Sequence, residues 1–226
     1  MLKKFFLNTR SPEGMGGVIM LWLMNVGHSS MSQWGLKQLA VKPDDNILDI
    51  GCGGGANIAR MLDMTPHGKV CGVDYAALSV EKSIQRNRKA IAAKRAEIKQ
   101  GDVSQIPYAD STFDIVTAFE TVYFWQDFPN DLKEVARVLK PGGTFFICNE
   151  AVRLEGEDPP HKGFIKMLDL NMYSANDFRQ TLLAAGFESV NVILAKHKNM
   201  ICVMAKKPGA RKTSPTEDDL FSETSL

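Results

Sequence analysis

Short apolar runs alternate with amphipathic stretches through the middle of the chain. Five of these runs have the length of buried β-strands, and they occupy residues 47–50, 69–74, 96–100, 113–119 and 144–149. The stretches between most of them have apolar residues at helical spacing. Because alternating strands and helices build a parallel sheet covered on both faces, the pattern predicts an α/β fold. Two further alternating segments, at 190–194 and 200–205, predict a C-terminal antiparallel hairpin and seven strands in all.

The N-terminal region has a different pattern. Residues 15–40 predict a helical cap of two helices, with a break at residues 27–30. One stripe of the first helix consists of Met15, Ile19, Trp22 and Val26. Because this helix is apolar on nearly all sides, we expect it to be covered on several sides. The methionines and tryptophans of the cap either line a substrate pocket or pack the helix pair itself.

Three regions follow from these patterns. Residues 1–45 form an N-terminal arm and the helical cap, and residues 46–206 form one globular domain. Within the domain, residues 151–172 predict a lid-like, partly helical insertion, and residues 174–177 form a capping-box start for the next helix. Residues 207–226 are rich in Pro, Gly, Ser, Thr and charge, and they predict a disordered tail.

Two of the predicted helices have features that the structure can test. The helix after the second strand has an expected buried stripe of Val80, Ile84 and Ile91. Its expected solvated face carries Lys82, Arg86, Arg88 and Lys89. The helix before the fifth strand is expected to stop at Pro141-Gly142-Gly143.

Composition and charge narrow the class of protein. The 226 residues are 44% hydrophobic and 23% charged, which is typical of a globular domain. Basic and acidic residues nearly cancel, at 27 and 26, so the basic face of a nucleic-acid-binding protein is not expected. The most apolar run, residues 18–24, is far shorter than the roughly 20 residues of a membrane span.

The cysteines and histidines give no sign of a metal site. Cys52, Cys71, Cys148 and Cys202 have neither metal-ligand nor redox-pair spacing. We therefore expect reduced thiols and a cytoplasmic protein without a bound metal. His161 and His197 are expected in surface loops.

A glycine-rich turn follows the first predicted strand. Residues 51–55, Gly-Cys-Gly-Gly-Gly, join that strand to a helix, as in the first half of a nucleotide-binding crossover unit. The turn fits the dinucleotide pattern, and Asp74 lies at a suitable distance for a ribose carboxylate. Asp49 changes this interpretation, because a carboxylate two residues before the first glycine repels a pyrophosphate. It suits a cationic ligand, or it caps a backbone turn.

The stretch from Asp49 to Gly55 resembles the first motif of class I S-adenosylmethionine (SAM)-dependent methyltransferases, whose cofactor carries an ammonium and a sulfonium. Further matches follow in order at Asp74, at Gly101-Asp102-Val103 and at Leu139-Lys140-Pro141-Gly142-Gly143. The core is most similar to the small-molecule, type-11 branch that includes ubiquinone/menaquinone and sterol methyltransferase-like proteins. The resemblance implies a Rossmann-like, doubly wound domain over residues 46–206, with SAM as cofactor and methyl transfer as activity.

The resemblance also implies the contacts to the cofactor. It places Asp74 at both ribose hydroxyls, Asp102 at the adenine amino group and the backbone N–H of Val103 at the ring. The other expected cofactor contacts are Asp49, Gly51, Cys52, Gly53, Asn57, Tyr75, Phe119 and Glu120. Asp74 and Asp102 also have a purely structural interpretation as cap or turn residues.

The catalytic residues stay open at this point. Methyl transfer needs the acceptor held in line and water excluded, and it needs a general base only where the acceptor loses a proton of high pKa. Glu120, Tyr123 and His28 are the candidates, and Glu120 and His28 each also suit a structural role. Members of the family that methylate DNA or glutamine amines carry an Asn/Asp-Pro-Pro-Tyr/Phe motif, where this chain reads Phe119-Glu120-Thr121-Val122. We therefore expect a small, apolar or aromatic acceptor whose accepting atom is undetermined.

Two other functions remain open from the sequence. A non-catalytic SAM-binding module would keep the same acidic residues, and an NAD-dependent oxidoreductase would keep the glycine turn. Asp49 disfavours the oxidoreductase, as does the lack of a Tyr-x-x-x-Lys pair. The expected partner is a small-molecule substrate, without nucleic acid or a membrane span, and the chain is expected to be a monomer or a homodimer.

Overall fold

The computed structural model describes residues 8–150, 152–154, 162–195 and 199–210. Seven strands lie in these residues: β1 (Ile47–Ile50), β2 (Val70–Asp74), β3 (Ala96–Gln100), β4 (Phe113–Phe119), β5 (Leu139–Glu150), β6 (Glu188–Ala195) and β7 (Met200–Lys206). They form one sheet in the order β3-β2-β1-β4-β5-β7-β6. Neighbours from β3 through to β5 are parallel, whereas β7 is antiparallel to both β5 and β6. The predicted seven-stranded, mostly parallel α/β sheet with a C-terminal antiparallel hairpin is therefore confirmed.

Helices pack around the sheet. They are α1 (Gly14–Gly27), α2 (Ser29–Leu36), α3 (Ala56–Met64), α4 (Ala77–Ala92), α5 (Phe128–Val138), α6 (Lys162–Leu168) and α7 (Ala175–Ala184), with a 3-10 turn at Val122–Phe124. Successive residues of the central strands face opposite sides: Leu48 and Val116 belong to one buried cluster, and Ile47 and Ile115 belong to the other. Because the sheet is buried on both faces, its central strands are almost wholly apolar.

The strand order reverses at the centre of the sheet. β1 lies between β2 and β4, so the chain winds outward in both directions from it. A sheet of this kind leaves a crevice at the carboxyl ends of the strands beside the reversal. Asp49, Asp74 and Glu120 all lie at or just after these strand ends.

β5 begins earlier than expected. It starts at Leu139, directly after α5, so Pro141-Gly142-Gly143 lies inside the strand and does not end the helix. The pairing of β4 with β5 shifts register between Phe113 and Ile115. Gly142 has a φ angle of +76°. A local irregularity of the strand accommodates these residues.

The expectation that α1 is covered on several sides is wrong. Its buried residues are Gly17, Met20 and Leu21. Its exposed large apolar residues are Met15, Ile19, Trp22, Leu23 and Val26. The helix packs edge-on against α4, where a Cβ on Gly17 would lie 2.9 Å from Leu78 Cδ2, and this contact leaves the opposite face uncovered by described residues.

The buried stripe predicted for α4 is also wrong. Ile84 is exposed and Val80 and Ile91 are half-buried, whereas the buried residues are Ser79, Ser83 and Asn87. The reason is close approach to the glycine turn. Asn87 Nδ2 donates to the carbonyl of Gly55 at 3.1 Å, and a Cβ on Gly55 would lie 3.0 Å from Ser83 Cα. Small and polar residues fit this contact where Ile or Val would not.

The remaining predictions concern the C-terminal third. Ser174 and Asp177 form the predicted capping box of α7. α6 supplies a helical part of the expected lid, but residues 151 and 155–161 lie outside the described residues, as do His161 and His197. Of the expected tail, residues 207–210 are described. No described helix has both the length and the apolar character needed to cross a membrane.

Candidate active site

A cavity of about 460 Å³ opens where the carboxyl ends of β1, β2 and β4 meet. Its volume is typical of small-molecule sites. All eleven predicted cofactor-contact residues line it, and so does His28, whereas Tyr123 does not. The structure thus brings together predicted residues that are up to 92 positions apart in the sequence, from His28 to Glu120. Their contact with a cofactor stays a prediction.

The glycine turn brings the backbone close to the cavity. Gly51 and Gly53 have φ angles of +69° and +50°, which a residue with a Cβ rarely adopts. A Cβ on Gly51 would also overlap the hydroxyl of Thr121 and lie 2.8 Å from the Cβ of Thr121. Because Thr121 follows β4, the glycine allows two strand ends to approach each other. Residue 51 therefore requires glycine for both its conformation and its space.

Asp49 is a buried carboxylate at the floor of the cavity. Its Oδ1 accepts a hydrogen bond from the hydroxyl of Thr117 at 2.7 Å, across the β1–β4 pair. Burial raises the pKa of Asp49 to about 7 against the lowering effect of the Thr117 bond, and the charge of Asp74 adds to the rise. A buried acid in this state gains from a nearby cation. The geometry thus favours the cationic-ligand interpretation over a turn cap.

Asp74 ends β2, and the backbone holds its carboxylate in place. Oδ2 accepts the N–H of Gly53 and Oδ1 accepts the N–H of Ala76, both at 2.9 Å. Burial raises the pKa of Asp74, and these hydrogen bonds oppose the rise. Each carboxylate oxygen has a second lone pair. The residue therefore serves as a turn residue and still has acceptor capacity for a diol.

Asp102 lies at the rim of the cavity. It is exposed, and its Oδ1 accepts the N–H and the hydroxyl of Ser104 at 2.9 and 2.7 Å. Val103 beside it is buried. A second acid, Asp131 on α5, is buried nearby, and the sequence interpretation missed it. Burial raises the pKa of Asp131 to about 6, and the charge of Asp102 adds to the rise.

Asn57 and Tyr75 tie the cavity wall to the N-terminal cap. Asn57 Oδ1 accepts from Arg60 Nη1 at 2.8 Å, and Arg60 Nη2 donates to the hydroxyl of Ser29 on α2 at 2.8 Å. The hydroxyl of Tyr75 donates to the carbonyl of Arg10. These bonds fix the cap against the cofactor side of the cavity.

Cys52 and Phe119 form buried, apolar parts of the wall. Phe119 packs against Phe146 with ring centroids 5.5 Å apart. Burial raises the pKa of the Cys52 thiol, and the charges of Asp74 and Asp49 add to the rise. Cys52 is therefore a neutral packing group and not a nucleophile. All four cysteines are buried and free, as expected.

Glu120 follows β4 in an unusual backbone conformation. Its φ angle is +56°, a region that favours glycine and costs free energy for other residues. Its N–H donates to the carbonyl of Cys148 at 3.0 Å. Its carboxylate accepts the backbone N–H of Glu150 and, at 2.7 Å, the hydroxyl of Tyr123. Burial raises the pKa of Glu120 against the lowering effect of His28. The surrounding contacts thus hold this side chain in one position.

His28 lies between α1 and α2 and faces two carboxylates. Its Nδ1 lies 3.4 Å from Glu150 Oε2 and 3.6 Å from Glu120 Oε2. Among the described residues this buried nitrogen has no well-aligned hydrogen-bond partner. Burial by itself lowers the pKa of His28, but the carboxylates of Glu150 and Glu120 outweigh it and raise the pKa above 6.5. The acids therefore support a positive charge on the imidazole at the edge of the cavity.

Glu150 is a second candidate residue, besides Asp131, that the sequence did not predict. The predicted fifth strand stopped at residue 149, one position before it. A usable signal existed, because the carboxyl ends of parallel neighbours share one edge of a sheet. Glu120 follows β4 and Glu150 ends β5, which pairs with β4.

The same three side chains have the donor types of a metal site. Ligand atoms of His28, Glu120 and Glu150 lie within 4.8 Å of one another, although no metal was expected from the sequence. The hydroxyl of Tyr123 and the N–H of Glu150 already donate to Glu120. Occupied carboxylate oxygens favour proton handling over metal ligation here.

The chain is similar in sequence to known methyltransferases. Residues 48–147 match a family described as a methyltransferase domain. A demethylmenaquinone methyltransferase of Lactobacillus johnsonii is 38% identical, over 71% of this chain and 74% of that protein. An uncharacterized methyltransferase of Bacillus subtilis, YdaC, is 25% identical over 83% of this chain and 97% of its own length.

A solved structure shares the fold. A solved SAM-dependent methyltransferase from Aquifex aeolicus superposes with a TM-score of 0.64 at 24% identity, over 77% of this chain and 88% of that chain. The family match contains Asp49, Asp74 and Glu120, whereas His28 and Glu150 lie outside it. The family match therefore includes the strand ends and the glycine turn and leaves out α1 and the end of β5.

Proposed function

The chain belongs to the SAM-dependent methyltransferases, and from this premise we propose that it methylates a small, apolar or aromatic acceptor. One observation carries the proposal: the cavity has two unlike halves. Its cofactor half consists of the acidic strand ends and the glycine turn. Its acceptor half consists of apolar walls with His28 and Glu120, and Glu150 contacts His28 from outside the cavity lining.

The cofactor half fits SAM on the evidence of its own residues. Asp49 is a buried acid whose ionised form a cation would stabilise. Asp74 is held by two backbone N–H groups and retains acceptor capacity for two hydroxyls. Asp102 lies exposed at the rim, within the reach of an amino group. When bound there, SAM supplies a methyl group that leaves sulfur for a nucleophilic atom, with the bonding electrons remaining on sulfur.

The acceptor half favours a ligand of low polarity. Its apolar lining residues are Leu21, Met24, Met31, Phe124 and Trp125. Three of them belong to α1 and α2, the helices that meet at His28. An apolar lining with few polar groups binds ligands mainly by burial of apolar surface. Met side chains also adapt to irregular shapes.

We propose that His28 removes the proton of the acceptor. Nδ1 lies 3.4 and 3.6 Å from the carboxylates of Glu150 and Glu120, so these acids favour the neutral tautomer with its proton on Nδ1 and its lone pair on Nε2. The proton released by an acceptor hydroxyl moves to Nε2, and the two carboxylates stabilise the imidazolium that forms. Glu120 acts through His28 and is itself positioned by Tyr123.

We also propose that the protein works in the cytoplasm as a monomer or a homodimer. Four buried free thiols are typical of a reducing compartment.

Calorimetric titration with SAM tests the cofactor half. Asp74→Ala should weaken SAM binding at least about 100-fold, because it removes charged acceptors of two hydroxyls. Denaturant unfolding of Asp74→Ala shows whether the fold survives the loss of the two backbone bonds. Asp110→Ala is the control, since Asp110 is an exposed acid that pairs with Arg137 and does not line the cavity. Unchanged affinity in Asp74→Ala would remove the site assignment.

Formation of S-adenosylhomocysteine tests turnover. Apolar phenols and hydroxyquinones should support it, and amino acids and phosphoethanolamine should not. Turnover only with the polar amines would contradict the proposed acceptor class. Tight SAM binding without turnover on any compound would favour a non-catalytic SAM-binding module.

A further inference from the structure

Arg60 on α3 brings an unbalanced positive charge to the cavity wall. The basic residues that line the cavity, among those the structure describes, are Arg10, His28 and Arg60. The guanidinium of Arg10 lies 3.9 Å from the carboxylate of Asp169, and His28 faces two carboxylates. Arg60 has no carboxylate within 4.0 Å in the described part of the chain. Its charge is therefore left without a counter-ion among these residues.

Neutral groups hold the guanidinium of Arg60 in place. Nη1 donates to Asn57 Oδ1 and Nη2 donates to the hydroxyl of Ser29, both at 2.8 Å. A guanidinium has five N–H donors, so these two bonds leave three for another partner. Because both partners are neutral, they fix the position of the side chain without balancing its charge. A guanidinium prepared in this way suits an oxyanion.

The surroundings of Arg60 make a free charge unfavourable. The side chain is half-buried, and burial lowers its pKa. The charge of Arg86 on α4 adds to the fall. Arg86 is itself held by a neutral group, because its Nε donates to the carbonyl of Gly54 at 2.9 Å. A half-buried cation beside a second cation gains from an anion at the same wall.

The position of Arg60 places that anion on the cofactor side of the cavity. Arg60 lies three residues after Asn57 on α3, the helix that begins directly after the glycine turn. Gly53, Gly54 and Asn57 line the cavity with it. SAM has no phosphate, and its anionic group is the carboxylate of its methionine part. The acids of the cofactor half suit the ammonium, the sulfonium and the hydroxyls of SAM, so the carboxylate is the part that still needs a basic partner.

We propose that Arg60 binds the carboxylate of SAM and makes the cavity selective for a cofactor that carries one. Asp49 and Arg60 then supply one charge of each sign for the zwitterionic end of the cofactor. Asn57 and Ser29 act through Arg60 by holding its guanidinium. The inference rests on the proposed function, because it takes SAM as the ligand of the cofactor half, and it adds a residue and a selectivity to that half.

Decarboxylated SAM is the probe that isolates this contact. It keeps the adenosine, the sulfonium and the amine of SAM and lacks the carboxylate. Calorimetric titration of wild type should give at least about tenfold tighter binding of SAM than of the decarboxylated compound. Arg60→Met should reduce this ratio to about twofold or less. Arg60→Lys keeps the charge without the planar fork and should give a ratio between the two.

Two control variants separate the contact from structural effects. Ser29→Ala removes a bond that ties Arg60 to α2 and keeps the charge of Arg60. Arg86→Met removes the neighbouring cation, which does not line the cavity. Both variants should keep the wild-type ratio of the two affinities, even where both affinities change together. Denaturant unfolding of each variant shows whether the fold is intact.

Three results would overturn the proposal. Wild type could bind SAM and decarboxylated SAM equally well, which would leave the cofactor half in place without a carboxylate contact. Arg60→Met could weaken both ligands by the same factor, which would give Arg60 only a structural role between α3 and α2. Wild type could fail to bind SAM at all, which would overturn the proposed function together with this inference.

Discussion

The two halves of the cavity are held together in different ways. In the cofactor half, neighbouring elements of the sheet fix the acids: Asp74 through the N–H groups of Gly53 and Ala76, and Asp49 through Thr117. In the acceptor half, side chains from distant segments face each other, with His28 between two helices and Glu150 at the end of β5.

This difference indicates which half of the cavity tolerates changes of sequence. Backbone hydrogen bonds in the cofactor half depend on the turn and strand geometry of one fold. The acceptor half depends on how α1 and α2 rest on the sheet, and α1 is covered on one side only by described residues. Changes in the cap can therefore alter the acceptor without disturbing the cofactor.

The largest expected effect breaks the cofactor half. Gly51→Ala should abolish measurable SAM binding and lower the free energy of unfolding by about 2–3 kcal/mol, because the Cβ overlaps Thr121 at a positive φ angle. Calorimetry and denaturant unfolding measure the two effects. Gly142→Ala is the control, since Gly142 has a φ angle of +76° with nothing within 4 Å. It should lose about 1 kcal/mol and keep its SAM affinity. Equal SAM affinity in the two variants would contradict the account.

The next effect breaks the acceptor half. His28→Gln should lower turnover about 100-fold, the usual contribution of a general base. His67 is an exposed histidine three residues before β2, and His67→Gln should leave turnover unchanged.

The pH dependence sharpens this second test. The pKa of His28 is raised, so the neutral base forms at higher pH than in a free histidine, and wild-type turnover should rise with pH through that raised pKa. The same sign applies to stability: the contribution of the ion pair is present below 6.5 and is lost as pH rises through the raised pKa. A turnover profile that is identical in wild type and His28→Gln would exclude His28 as the base.

A smaller effect separates charge from shape in the cofactor half. The pKa of Asp49 is raised to about 7, so its ionisation destabilises the fold as pH rises from about 4 to about 7. Asp49→Asn should therefore be about 1–3 kcal/mol more stable than wild type at pH 8, with little gain at pH 4. It should also bind SAM about tenfold more weakly at pH 8. Unfolding curves at the two pH values check the first claim, and a pH-independent stability difference would contradict it.

The smallest effect concerns Tyr123. Tyr123→Phe removes the hydroxyl that holds Glu120, so turnover should fall about threefold and stability by about 1 kcal/mol. The Tyr123 bond lowers the pKa of Glu120, so its loss should raise that pKa. Glu120 then carries less negative charge, the pKa of His28 should fall, and the pH profile of turnover should move to lower pH. Tyr173→Phe, on the ring cluster with Phe128, is the control. If the pH profile of turnover does not move in Tyr123→Phe, Tyr123 has only a packing role.

The sequence predicted which acidic residues and glycines meet at the strand ends, for a physical reason. Asp49, the glycine turn and Asp74 lie at the ends of apolar runs, and strand ends on one edge of a parallel sheet converge. The described strands lie on those apolar runs. The family match, over residues 48–147, covers the same part of the chain.

The acceptor half was less predictable. Glu150 was missed because the fifth run was taken to end at residue 149, and the contact of Glu150 with His28 joins segments 122 positions apart. The exposure of α1 was missed because an apolar helix is normally a buried one. Ser83 and Asn87 face the glycine turn of a distant segment, so the period within α4 alone pointed to its apolar residues.

SAM affinity measured in parallel for Asp74→Ala and His28→Gln tests the division most directly. The account predicts a loss of at least about 100-fold for Asp74→Ala and a change of no more than about twofold for His28→Gln. Similar losses in the two variants, or unchanged affinity in Asp74→Ala, would contradict a cavity with separate cofactor and acceptor halves.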